Sequence, residues 1–303
     1  MSALTHTPVL LNSVLSLSDP QPGEIVLDVT LGLGGHAAAF LERIGRDGRF
    51  IGLDADAENL RSAEERLAHF SCQKEFHHGN FRELPALQLP QVDVLFADLG
   101  LSSPHVDDPK RGFTFREEVP LDLRYDRTSG QTAAAWLARA SEADIVRVLR
   151  EYGEVRGARR IAVCMATGEV RTTFDLKRCV EAACGWRAPS VLPQVFQALR
   201  IAINDELHAL EVLLQAGPEL LREGGRMVVL SYHSLEDRLV KQAFRSLSLP
   251  EKDTETGAVS VPARFALLTR KPLAPEPDEV RENPRARSAH LRALRRVASI
   301  SPH

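Results

Sequence analysis

The chain of 303 residues has no apolar run approaching the roughly 18 residues that a membrane-spanning helix needs. Its first eleven residues show no basic stretch followed by a long apolar one, so no secretory signal is expected and a cytoplasmic location is. Cysteine is scarce. Cys72, Cys164, Cys179 and Cys184 are the only four, and none forms a C-x-x-C pair. A structural zinc framework needs such tight pairs, so no structural metal is predicted, and the thiols are expected to be buried and reduced. A large excess of positive charge is also missing. The net charge is −3, which argues against a non-specific polyanion binder. No internal repeat is visible.

What is present is an ordinary globular mix, 44% hydrophobic and 26% charged, long enough to bury a large core. The first hundred residues alternate strand and helix patterns. Strands are predicted at Glu24–Val29, Arg49–Leu53, near Phe76–His78 and at Val92–Ala97. Helices are predicted from His36 to Ile44 and from an Asp56 cap to about Phe70. Such alternation implies right-handed βαβ units and a parallel sheet.

The pattern changes after Pro104. Between Ser129 and about Cys184 only helical signals occur, among them a Ser141/Asp144 capping box with a stop at Gly153. One long amphipathic stretch follows, from about Pro193 to Gln215. Gly224 and Gly225 then lead into the strand Arg226–Leu230. A second capping box, Ser234 with Asp237, opens a helix to Phe244. Phe265–Thr269 reads as an edge strand and Leu273–Pro284 as a proline-rich loop. The resulting expectation is an α/β protein, a doubly wound Rossmann-like sheet interrupted by an inserted all-helical domain. The borders are 1–105 and 201–303 for the two sheet parts and 106–200 for the insertion.

Asp28–His36 (DVTLGLGGH) joins the first strand to the first helix. Gly32 and Gly34 permit a tight turn, and free N–H groups at the helix start add positive potential. Asp54, twenty-two positions after Gly32, closes the second strand, where a carboxylate can accept bonds from both ribose hydroxyls. This pattern alone fits two cofactors, because Gly32, Gly34 and Ala37 also satisfy the dinucleotide fingerprint. Asp28 favours S-adenosyl-L-methionine, since a carboxylate there opposes a pyrophosphate and suits a cationic methionyl group. Asn80-Phe81 offers an aromatic face for adenine, although Phe81 serves equally well as a core residue. Asp98 closes the fourth strand, where substrate meets cofactor in this architecture.

From Asp98–Pro104 (DLGLSSP) onward the chain resembles the bacterial 16S rRNA (cytosine-N4) methyltransferase family, RsmH or MraW. The resemblance runs nearly end to end. It includes His6–Leu11 (HTPVLL), the glycine loop, Arg111–Phe115 (RGFTF), Leu121–Arg124 (LDLR) and Glu151–Glu154 (EYGE). It continues through Phe196–Asn204 (FQALRIAIN), Ser231–Arg238 (SYHSLEDR) and Asn283–Ala289 (NPRARSA). It implies the class I methyltransferase fold and methylation of one cytidine in the P-site region of 16S rRNA within the small ribosomal subunit. Family cofactor positions fall on Gly34, Gly35, His36, Asp54, Phe81 and Asp98. A further one, usually glutamine, is His105 here. The family's LDMRMD becomes Leu121–Asp126 (LDLRYD), and its HPATR becomes Ser190–Gln194 (SVLPQ), which removes a histidine and an arginine available to RNA.

For such chemistry Asp98, with the carbonyl of Leu99, is the candidate catalytic acceptor for the target amine. Its competing role is to orient the cofactor. Arg111, Arg124 and Arg200 are candidates for phosphate, or for pairing with Asp122, Asp126 or Asp205 inside the fold. His233 is a candidate for base or phosphate contact, or a histidine satisfied by neighbouring backbone. Its spacing to Glu236 supplies only two ligands, too few for a metal site. Arg281 to Arg296 holds six arginines against one acid, and Arg285 and Arg287, in an expected extended segment, are the preferred RNA contacts. Two other functions are weighed. One is a ribosome-binding assembly factor that keeps the cofactor pocket without turnover. The other is an NAD-dependent dehydrogenase.

Overall fold

A computed structural model of the chain describes residues 8–252 and 259–298, which leaves His6 and Thr7 of the first shared motif outside the described residues. The chain divides into a sheet unit, 1–100 with 209–303, and a helical unit, 101–208. Among the described residues no helix is long and apolar enough to cross a membrane.

The sheet unit opens with helix α1 (Leu11–Ser18) and then alternates β1 (Ile25–Asp28), α2 (Gly35–Ile44), β2 (Arg49–Asp54), α3 (Ala57–Leu67), β3 (Gln73–His78) and β4 (Val92–Asp98). Local chemistry sets the ends. Asp56 caps α3 by accepting from the Glu58 N–H at 2.9 Å. Gly45, at φ 66°, ends α2.

The helical unit carries α4 (Ser103–Asp107), α5 (Ala133–Leu137), α6 (Glu142–Glu151), α7 (Ala158–Thr167), α8 (Thr173–Cys184) and α9 (Ala188–Asn204). Ser141 caps α6 as predicted, accepting from the Asp144 N–H at 3.1 Å. Its core gathers Ile145, Leu149, Ile161, Leu176, Val195 and Leu199, all essentially inaccessible to water. Each such side chain contributes about 1.5–3 kcal/mol when buried.

The expected amphipathic stretch 193–215 is two helices, because Asp205 takes a left-handed conformation (φ 53°) and separates α9 from α10 (Glu206–Leu220). The helical unit extends past residue 200 for a visible reason. The amide of Asn204, near the end of α9, donates to the Leu123 carbonyl at 2.8 Å and holds that segment in the unit.

Back in the sheet unit, β5 (Leu221–Ser231) precedes α11 (Ser234–Leu247). The cap of α11 lies one residue earlier than the sequence pattern suggested. His233 accepts from the Glu236 N–H, and Glu236 accepts from the His233 N–H at 3.3 Å. Asp237 is committed elsewhere, to Arg292. A short pair, β6 (Glu251–Lys252) and β7 (Val259–Val261), is followed by β8 (Phe265–Leu267). The expected proline-rich loop contains the helix α12 (Pro277–Glu282), started by Pro277 at its first position. The last arginines are not extended where predicted either. Arg285 and Arg287 sit in a 3₁₀ turn, Pro284–Ser288, and the next residues form β9 (His290–Arg296).

The sheet order is β3-β2-β1-β4-β5-β9-β8. The first five strands are parallel, and β9 is antiparallel to both β5 and β8. This is a doubly wound sheet whose winding direction reverses between β1 and β4. Ligands in such sheets bind at the carboxyl ends of the strands flanking that reversal. Phe96 of β4 ties the start of α2 to the sheet, with its ring 4.7 Å from His36 and 5.3 Å from Phe40.

One expectation about cysteine is overturned. Cys164 of α7 and Cys179 of α8 form a disulfide, while Cys72 and Cys184 are free thiols. Their separation of 15 along the chain hides a contact that only the packing of two neighbouring helices creates.

Candidate cofactor and catalytic site

Asp28, Asp54 and Asp98 end β1, β2 and β4. The fold therefore brings three carboxylates to one rim of the sheet unit. Asp28 is buried, and its Oδ1 accepts from the Thr30 N–H at 3.0 Å. Thr30 Oγ1 in turn accepts from the Asp98 N–H at 2.6 Å, so one hydroxyl braces both strand ends. Burial, with the nearby charges of Asp98 and Asp54 adding to it, pushes the Asp28 carboxyl up to about 8.

Asp54 holds the glycine loop. Its Oδ2 accepts from the Gly32 N–H at 2.6 Å and its Oδ1 from the Asp56 N–H at 2.8 Å. Gly34 caps α2 at φ 75°, a conformation costly for a residue with a Cβ. A Cβ on Gly35 would lie 2.9 Å from Cγ of Pro8. Glycine at 35 thus lets the segment before α1 cross the start of α2.

His36 is buried against that same segment. Its Nε2 lies 3.0 Å from the Val9 carbonyl, which can only accept, so Nε2 carries the hydrogen. Nδ1 then faces Asp98 Oδ2 at 3.7 Å. Burial lowers the imidazole's pKa against the opposing pull of Asp98, which favours the neutral ring.

This donor set fits S-adenosylmethionine. Burial and the neighbouring charges of Asp98 and Asp54 press on the Asp28 carboxyl, and a ligand carrying positive charge relieves that crowding where a pyrophosphate would not. The N–H groups at the start of α2 and the Asp54 carboxylate complete a polar cradle. Phe81 opens a 3₁₀ turn after β3, half-buried against the cluster that contains Leu27, Val29 and Leu53. It is both core and rim.

The remaining candidates are placed differently. His105 belongs to the helical unit, where it is buried. Its Nδ1 lies 2.9 Å from Ser102 Oγ, and its ring packs 5.0 Å from Tyr125 and 5.4 Å from Phe113. Arg111 is 1% exposed, which leaves almost no surface to offer a phosphate. Arg124 is engaged by Asp122 at 2.7 Å and by the Ser129 carbonyl at 3.0 Å. Arg200 forms a two-pronged pair with Glu206, both bonds 2.8 Å. His233 is a helix cap, with Nε2 3.1 Å from Glu236 Oε1. Arg285 is half-buried and Arg287 exposed, which leaves Arg287 the better placed for RNA.

Sequence reasoning passed over Thr30 and Tyr232. Thr30 lies inside the glycine loop but carried no motif weight. Tyr232 follows β5, its ring lies against Gly100, and burial followed by the negative charge of Asp98 holds its phenol well above the usual range.

A family model described as the MraW methylase family matches residues 3–297. "Ribosomal RNA small subunit methyltransferase H" of Sorangium cellulosum is 44% identical, over 96% of this chain and 91% of that protein. The proteins of the same name from Syntrophotalea carbinolica and Heliobacterium modesticaldum are 43% and 40% identical, each over 96% of this chain and 98% of theirs.

Proposed function

The chain belongs to the MraW methylase family, and from that premise we propose that it methylates the N4 amine of one cytidine in the P-site region of 16S rRNA. It is an rRNA methyltransferase that uses S-adenosylmethionine. The observation that supports the finer reading is the carboxylate of Asp98. It stands at the end of β4, 23% exposed, beside the cradle of Asp28, Asp54 and the start of α2.

The N4 amine is a weak nucleophile because its lone pair is delocalised into the ring. S-adenosylmethionine would supply an electrophilic methyl carbon on a cationic sulfur that leaves as a neutral thioether, so no metal or covalent enzyme intermediate is required. The protein must align the amine with that carbon and draw electron density back onto nitrogen. Alignment alone supplies roughly 7–11 kcal/mol. Asp98 accepts a hydrogen bond from the amine, strengthening as positive charge develops there, and receives the proton that the nitrogen sheds once its bond to carbon has formed. Thr30 fixes the backbone of Asp98, and buried His36 stands behind its carboxylate. The target base is flipped to present its amine. Arg287 and Arg285 serve the RNA backbone.

The experiment is transfer of labelled methyl to small subunits that lack the modification, with the methylated nucleotide mapped. One N4-methylcytidine at the P site is expected, and its loss in Asp98→Asn with cofactor affinity retained. Binding to the subunit without transfer would support the assembly-factor reading. Full activity of Asp98→Asn would remove Asp98 from the chemistry.

A further inference from the structure

The helical unit turns one large aromatic side chain outward at the joint between two helices. α8 stops at Gly185, whose φ of 55° favours a residue without a Cβ, and the chain passes through Trp186 and Arg187 before α9 begins. Trp186 is 84% exposed, the only exposed aromatic ring among the described residues. The next most exposed large apolar side chain among them, Leu249, reaches 58%.

Two contacts hold this joint. The Arg187 guanidinium carbon lies 5.1 Å from the centre of the Trp186 ring, a cation–π contact that steadies the indole. The Ser190 hydroxyl donates to the Arg187 carbonyl at 2.8 Å, which pins the backbone of the turn. Arg187 is itself exposed, and among the described residues no carboxylate pairs with it, unlike Arg124 and Arg200. From Trp186 the exposed positions continue through Pro189, Ser190, Pro193 and Gln194, the spacing of one helix face. Ala188, Leu192, Val195 and Phe196 turn into the core instead. No acid occurs between Glu181 and Asp205, so the ridge carries positive charge only.

A steadied aromatic ring beside an unpaired cation, on a ridge without acids, is the chemistry that receives single-stranded nucleic acid. Bases stack on the ring and phosphates meet the cation. A protein partner calls for a broader apolar patch. In this unit the other exposed large hydrophobics among the described residues are only Val106 and Val163, 38% and 42% exposed. We propose that Trp186, steadied by Arg187, stacks on an unpaired base of the rRNA substrate while Arg187 meets a neighbouring phosphate. The proposal rests on rRNA as the substrate and not on which nucleotide is methylated.

The test uses the full chain with naked 16S rRNA and with small subunits that lack the modification. Trp186→Ala should weaken binding to both about 5–100-fold, the range for losing one stacked base. Trp186→Phe, which keeps a smaller ring, should recover most of that loss. The exposed indole adds little to the core, so the melting temperature should not move. The subunit KM should rise while kcat at saturating subunits and cofactor Kd stay at the wild-type values. Arg187→Ala should lower the slope of log affinity against log salt by about 0.7. A further arm needs no folded alanine variant: rRNA bound to the wild type should shield tryptophan emission from acrylamide. The chain has two tryptophans, and the shielded component is the one that disappears in Trp186→Phe. Unchanged affinity of folded Trp186→Ala for naked rRNA, or emission that bound rRNA leaves unshielded, overturns the proposal. A loss confined to small subunits also overturns it and assigns the ridge to a ribosomal protein. Absence of methyl transfer by the wild type would sink the N4 reading, while binding to naked rRNA would still judge the ridge.

Discussion

Replacing Arg292 by methionine should destabilise the sheet unit without touching the cofactor site. Arg292 lies on β9 with its side chain 7% exposed. Its guanidinium grips Asp237 of α11 with two parallel bonds, Nε to Oδ1 at 2.6 Å and Nη2 to Oδ2 at 2.9 Å. As a pair the two charges contribute little net stability, because desolvation offsets their attraction. Removing one is different, since it strands the other. A fully buried stranded charge costs about 3–5 kcal/mol. The Asp237 side chain is 19% exposed, so water softens the penalty, and about 2–4 kcal/mol is expected at neutral pH. Methionine keeps much of the apolar stem's packing, so the loss reports charge more than volume. Adding Asp237→Leu should restore most of it.

The pH dependence sharpens the test. Burial alone would raise the Asp237 carboxyl, but the bonds and charge of Arg292, aided by His290 and Lys241, hold it below its usual range. A depressed folded pKa gives stability that is present above the unfolded value and lost as pH falls through the folded one. The gap between wild type and Arg292→Met, read by urea denaturation, should therefore be widest near pH 7 and narrow below about pH 4. A variant within about 0.5 kcal/mol of wild type at pH 7, or a gap that ignores pH, would refute the reasoning. It would also return Arg292 to the pool of arginines available to RNA.

Asp28 predicts the opposite slope. Its folded pKa is raised from 3.8 to about 8, so its favourable contribution is complete below the unfolded value and is lost as pH rises through 8. Thermal melts of the ligand-free protein should show a decline over that window that flattens in Asp28→Asn. Reducing the Cys164–Cys179 disulfide, whose partners are 15 residues apart, should cost the helical unit up to about 3 kcal/mol, seen as a lower urea midpoint with reductant. The Cys164→Ser/Cys179→Ser variant should then be indifferent to reductant. In Arg285→Ala/Arg287→Ala, the slope of log affinity for RNA against log salt should fall by about 0.7 for each phosphate no longer neutralised, and an unchanged slope would exclude both residues.

The glycine loop and its three acids were legible in the chain because each depends on its own neighbourhood. An apolar run ending in an aspartate, a tight turn and a helix start are set within a dozen residues, and strand–helix alternation already implies the parallel sheet that gathers Asp28, Asp54 and Asp98. The run of helices after β4 could be read the same way. Which charges are spoken for could not. Arg124 with Asp122 is nearly local, yet nothing in the chain chose that partner over Asp126, and the pairing of Arg200 with Glu206 crosses the break after α9. The run of arginines at the end reads as a basic patch for RNA. In the fold it becomes β9, an internal strand between β5 and β8 that turns Arg292 inward to Asp237. Cys164 found Cys179, and His36 found Asp98, at separations of 15 and 62 along the chain. Periodicity and turn chemistry act over one element. Strand order and helix packing decide which distant side chains share a few ångströms, and only they could show what stands behind the candidate catalytic carboxylate.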